Sequence, residues 1–245
     1  MQSELSLQDA RELLMSAEAM HTILQQRLNH AEREIAAGNN FCKLTLKQLG
    51  LTTLPKIPEG VYELHLEQNK LTTIEEGVLP VSLRELYCEQ NQLESLPTLP
   101  PNLYRLHCNQ NRLTQLPEIP PKMWSLVCYT NQLTSLPRLD HLKGLDALWC
   151  DGNKLTEIPA LSNDRPLSLW CCGNQLISLP SFANVPNMKQ LRCENNKLTE
   201  IPELPPSLLV LNCRKNLLTA LPPLPKTLVE ILAYDNLAHL PYMNK

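Results

Sequence analysis

Apolar residues return along this chain in one frame: apolar–x–x–Leu–x–(Leu or Cys)–x–x–Asn–x–Leu. It reads Val61–Leu64–Leu66–Asn69–Leu71, Leu83–Leu86–Cys88–Asn91–Leu93, Leu103–Leu106–Cys108–Asn111–Leu113 and Met123–Leu126–Cys128–Asn131–Leu133. Leu145–Leu148–Cys150–Asn153–Leu155, Pro166–Leu169–Cys171–Asn174–Leu176, Met188–Leu191–Cys193–Asn196–Leu198 and Leu208–Leu211–Cys213–Asn216–Leu218 continue it. The asparagines, ending at Asn236, are spaced 22, 20, 20, 22, 21, 22, 20 and 20 residues apart. A fixed period near 20 predicts stacked repeats whose neighbours bury a shared core. Atypical units stand at both ends, as caps should: Phe41–Leu44–Leu46–Leu49–Leu51 has Leu for Asn, and Leu228–Ile231–Ala233–Asn236–Leu237 is one residue short.

With the Asn as position 9, positions 4 and 6 alternate with polar neighbours, so each unit should hold one short strand. Successive strands then pair in parallel, about 4.8 Å apart. The Asn side chain both donates and accepts, which suits it to the backbone groups of the turn leaving the strand. The return path is built from Leu96-Pro97-Thr98-Leu99-Pro100-Pro101 and its kin. Proline at this density excludes a helix there and favours an extended, polyproline-like convex side.

Residues 4–37 contain neither Pro nor Gly. Ser6 followed by Asp9 suggests a helix start, Gly38 and Asn39 a stop. Between them Leu14, Ala17, His21, Leu24, Leu28, Ala31 and Ile35 recur at helical spacing. One helix of about 30 residues, or a hairpin broken near Met20–Thr22, fits this pattern. The division expected is residues 1–40 as a helical cap and 41–245 as the solenoid. The helix either covers the apolar end of the first repeat or extends into a coiled-coil dimer contact.

Composition changes this picture little. The net charge is −3, and beyond residue 38 acids and bases balance, so no basic field draws nucleic acid or an acidic membrane. No apolar run is long enough to span a bilayer, and the N-terminus does not read as a secretory signal peptide. Seven of nine cysteines occupy position 6, an inward site. Their spacing matches no zinc motif, so they read as small core hydrophobes suited to a reducing compartment. No metal and no cofactor is expected.

Positions 3, 5 and 7 should face outward on the concave side. At positions 5 and 7, Tyr87, His107, Val127, Tyr129, Trp149 and Trp170 should form one contiguous exposed patch, with Arg192 beside it. Exposed Trp, Tyr and Arg are typical anchors of protein interfaces. Glu63, Glu67, Glu85 and Glu89 lie toward one end of this face; Arg192, Arg214 and Lys215 lie toward the other. Cys172 falls at outward position 7, but no His stands at a facing position to activate it, so no catalytic residue is assigned.

The unit Asn111-Arg112-Leu113-Thr114-Gln115-Leu116-Pro117-Glu118-Ile119-Pro120-Pro121 resembles the LPX subclass of bacterial leucine-rich repeats, found in effectors of the YopM and IpaH/SspH families. The resemblance spans about residues 41–241, and a helical segment before the repeats is a further likeness. The fold expected is an α+β leucine-rich-repeat solenoid, and because a solenoid presents a surface and no catalytic site is seen, the chain reads as a non-enzymatic module that binds a host protein. The resemblance implies delivery into the host cell, to its cytosol or nucleus, by a specialised system without a cleaved signal. The ligase members carry a large C-terminal catalytic domain, whereas this sequence ends at Lys245. Ligase activity is therefore not expected of this chain; the alternative is substrate recognition for a catalytic chain supplied separately.

Overall fold

The computed structural model describes residues 7–237 and 242–244, with side chains described over 17–237. One helix, α1 (Leu7–Ala36), precedes ten short strands that pair in parallel and in chain order. They are β1 (Cys42–Thr45), β2 (Val61–His65), β3 (Glu85–Tyr87), β4 (Arg105–His107), β5 (Ser125–Val127), β6 (Ala147–Trp149), β7 (Ser168–Trp170), β8 (Gln190–Arg192), β9 (Val210–Asn212) and β10 (Glu230–Leu232). An antiparallel strand not anticipated from the repeat pattern, β11 (Tyr242–Asn244), closes the far edge against β10.

Each repeat turns at the same place for the same reason. Position 8 of every unit, from Gln48 to Asp235, has a φ between 53° and 60°. This left-handed residue ends the strand and swings the Asn inward. Asn91 then donates through Nδ2 to the carbonyls of Leu66 (2.9 Å) and Cys88 (3.1 Å) and accepts at Oδ1 from the Leu71 N–H (3.0 Å). The same bonding runs from Asn69 to Asn236, so each Asn ties its own turn to that of the preceding unit. The backbone groups that a buried turn would leave unpaired are thereby satisfied.

The return segments carry no helix among the described residues. Their prolines also do something beyond extension. The carbonyl of Pro100 accepts the N–H of Leu103 (3.0 Å), with Pro101 at the second position of the turn, where its fixed φ fits. Pro120–Met123 and Pro205–Leu208 repeat this turn at 3.1 Å. It delivers the position-1 side chain into the core.

Two units depart from the expected frame. Pro166 is exposed, and Leu167 fills the core site instead. That unit lacks the Pro-Pro turn; Asn163, 2% exposed, accepts the Arg165 N–H at 3.1 Å and donates to Leu145 O. In the first unit Phe41 is exposed and Cys42 takes the inward site opposite Val61, because the register slips between Cys42 and Lys43.

The core is a continuous column in which Leu64, Leu66, Leu86, Cys88, Leu106 and Cys108 are fully buried, as are their equivalents further along. Each such leucine contributes roughly 1.5–3 kcal/mol. The position-6 cysteines are free thiols, and burial pushes them up, to about 12 for Cys128.

Helix α1 is unbroken through Met20–Thr22. It ends where the Gly38 N–H donates to Ile35 O (2.9 Å) and the Asn39 N–H to Glu34 O (3.0 Å), with Gly38 at φ 87°. This is the Schellman pattern that a left-handed glycine permits. Leu24, Leu28 and Ala31 are buried against the first repeat. Arg27 Nη1 donates to Thr45 O at 2.7 Å, covering part of the open edge of β1. The helix packs so closely that a Cβ on Gly60 would stand 2.7 Å from Ile35. His21 and Ala17 are exposed rather than part of the covered stripe. Ser6, the expected start signal, lies outside the described residues, as does the side chain of Leu14.

Candidate functional site

Parallel pairing in strict register sets position-5 side chains of successive units next to one another. His65 pairs with Tyr87, Tyr87 with His107, His107 with Val127, Val127 with Trp149, Trp149 with Trp170, and Trp170 with Arg192. His65 and Tyr87 stack at 4.5 Å, and His107 meets Tyr87 edge-on at 5.0 Å. Trp149 and Trp170 stack at 4.5 Å, and the Arg192 guanidinium lies 4.7 Å above the Trp170 ring.

The single exposed patch expected from the sequence is divided. Val127 is 3% exposed, a short side chain sunk between His107 and Trp149. It separates the His65–Tyr87–His107 cluster from the Trp149–Trp170–Arg192 cluster. Tyr129, half-buried at position 7, lines a pocket with His107, Val127 and Trp149.

The acids at the N-terminal end of this face are partly matched by the chain itself. Glu63 pairs with Lys43 (2.7 Å) and with His65 Nε2 (2.5 Å). Burial pushes its carboxyl up, but the bonds from Lys43 and His65 outweigh this and hold it below its ordinary value. Glu85, 9% exposed, receives Arg105 (2.6 Å), the Tyr87 hydroxyl (2.6 Å) and the Tyr104 hydroxyl (2.5 Å). Burial and the Glu85 carboxylate together push the Tyr87 phenol up to about 12. Burial, helped by Arg105, lowers His107 to about 4. At the other end Arg214 donates to the Tyr234 hydroxyl at 2.6 Å and lies 3.9 Å from Glu194.

Cys172 is unsuited to nucleophilic work. Burial, Asp151 and Glu194 all push its thiol well up, and its Sγ donates to Glu194 Oε2 at 2.8 Å. A reactive thiol needs the opposite shift. Among the described residues no group of three or more His, Cys, Asp or Glu side chains is placed to hold a metal ion, and no helix is long and apolar enough to cross a membrane.

Sequence reasoning missed a second aromatic row, on the flank where the strands begin. Phe41 and Tyr62 lie 5.3 Å apart, Tyr62 and Tyr104 6.3 Å, and Tyr104 and Trp124 6.1 Å, with Arg105 5.2 Å over Trp124. The position-2 column, Tyr62, Arg84, Tyr104 and Trp124, carried that signal.

A family model for leucine-rich repeats in two copies matches residues 167–206. Among solved structures, the chain is similar to YopM, a leucine-rich effector protein from Yersinia pestis: identity is 33% and the TM-score 0.69, over 86% of this chain and 64% of that one. The chain thus spans a little under two thirds of the Yersinia protein's length. A Shigella effector repeat domain is similar at 27% identity and a TM-score of 0.57, over 80% of this chain and 78% of that one. The functional domain of InlJ from Listeria monocytogenes, which includes a cysteine ladder, shares the fold at 24% identity and a TM-score of 0.59, over 79% of this chain and 49% of that one. No curated protein matches the sequence. The Asn-tied repeat of 20–22 residues, its proline-rich return and these likenesses agree: the chain is a leucine-rich-repeat solenoid similar to the bacterial effector repeat proteins of the YopM kind.

Proposed function

We propose that the chain is a non-enzymatic effector-like adaptor that captures a host protein on its concave face. The observation that carries this reading is the Trp149–Trp170 stack with Arg192 over it. The solenoid needs apolar side chains at positions 4 and 6, and nothing in its core needs two tryptophans at position 5. Half-exposed Trp, Tyr and Arg side chains held rigid by their neighbours lose little entropy on binding, which suits them as anchors. Tyr87, His107 and Tyr129 extend the surface across the dip at Val127. The free position-6 thiols favour work in a reducing compartment such as host cytosol or nucleus, reached by a specialised secretion route. The exposed part of α1 leaves room for self-association, and light scattering with and without the helix tests that.

The deciding experiment is a pulldown from host-cell lysate with wild type and the Trp149→Ala/Trp170→Ala variant. Loss of a specific protein with the variant supports the reading. An identical set of captured proteins, with the variant still folded, overturns it.

A further inference from the structure

A pocket of about 350 Å³ opens on the concave face, with Glu67 and Glu89 toward one end, Tyr129 and Trp149 toward the other, and Val127 among its lining. The two glutamates are neighbours because β2 and β3 pair in register and both occupy position 7. They differ from the other acids of this face. Glu63 and Glu85 each have a cation of their own in Lys43 and Arg105. Glu67 uses Oε1 for His65 Nδ1 (2.8 Å), while its Oε2 is shut from water without a hydrogen-bond partner. Glu89 Oε2 is in the same condition, and among the described residues Glu89 has no ion pair. Lys47 lines the pocket without pairing to either glutamate. At the other end the Trp149 Nε1–H, a donor, lacks an acceptor, a separate need that a basic group does not meet.

Two adjacent carboxylates with unpaired buried oxygens are costly for the chain alone. Burial and the neighbouring Glu67 charge raise the Glu89 carboxyl accordingly. The missing component is a cation with several N–H donors on an apolar stem. A guanidinium or ammonium supplies the donors, the rings of Tyr129 and Trp149 attract positive charge, and Val127 suits methylenes. Two glutamates against the one lysine leave the lining net negative, which disfavours an anion.

We propose that this pocket receives one basic side chain, arginine or lysine, from the protein segment bound along the concave face. The assignment rests on the concave-face reading above and names the chemistry of its partner.

The test titrates the full chain with N-acetyl-arginine amide and with N-acetyl-citrulline amide, which keeps the shape and lacks the charge. The indole N–H resonance of Trp149, assigned with Trp149→Phe, reports occupancy. The arginine compound is expected to shift it saturably, and the citrulline compound to bind at least about ten-fold more weakly, the scale of one lost charge-assisted pair. Glu67→Gln/Glu89→Gln should weaken arginine by a similar factor while its thermal transition stays at or above that of wild type. Equal response to citrulline, unchanged arginine binding by the double variant, or no response at all overturns the proposal. In the pulldown, loss of a protein with the Trp149/Trp170 variant but full capture by the glutamate variant overturns the pocket and leaves the concave-face reading intact. Unchanged capture by both overturns that reading itself.

Discussion

Trp149 and Trp170 stand at the same register position on neighbouring strands and stack at 4.5 Å with their planes 10° apart. A ring stack of this kind is worth about 0.5–1.5 kcal/mol beyond the area it buries. A double-mutant cycle of Trp149→Ala and Trp170→Ala, followed by urea unfolding, should return a coupling energy in that range, with a cooperative transition in every variant. Additive effects would show that the rings do not hold one another in place.

The asparagine ladder should be far less tolerant. Asn131, 9% exposed, accepts the Leu113 N–H and donates to the Cys108 and Cys128 carbonyls. Asn131→Ala strands those groups in the core, and each costs about 1–3 kcal/mol before relaxation. The expected loss is roughly 2–4 kcal/mol by denaturant unfolding. A loss no larger than that of an exposed Asn-to-Ala change, such as Asn187→Ala, would remove the ladder from the account of stability.

Thr130 is the β-branched residue among the left-handed position-8 residues, at φ 53°. The branched Cβ is poorly suited to that conformation, which costs an L-residue about 1–2 kcal/mol. Thr130→Gly or Thr130→Asn should raise stability by about 0.5–1 kcal/mol, whereas the same changes at an exposed extended Thr should not. Thermal melts of the two variants check this.

His107 predicts the acid side of the stability profile. Its pKa falls from an ordinary 6.5 to about 4 on folding, from burial and the nearby Arg105 charge. The unfolded chain therefore binds more protons at this site between those values. The contribution is fully present above about 6.5 and is lost as pH falls toward about 4. Glu89 and Asp151, whose carboxyls are raised by burial, act in the opposite sense, so the total profile is a sum. The difference in melting temperature between pH 7 and pH 4.5 should shrink in His107→Gln. An unchanged difference would mean that His107 titrates alike in both states.

The repeat and the job of each column could be read from the amino-acid order alone. A short unit must bury the same few side chains every time, so period and polarity state the architecture directly. Leu64, Leu66, the Asn turn and the helical cap at Leu24, Leu28 and Ala31 were legible for that reason. Local exceptions were not. Leu167 replaces Pro166, and Cys42 replaces Phe41, where a changed turn or a register slip shifts the chain by one residue. The pattern names columns but not the depth of a side chain within its column. Only the tertiary structure sank Val127 between His107 and Trp149, gave Glu63 and Glu85 their cations, and left Glu67 and Glu89 with unpaired oxygens. Burial, pairing and field depend on which residues the neighbouring units bring alongside, and the parallel register that does so exists only once the units are stacked.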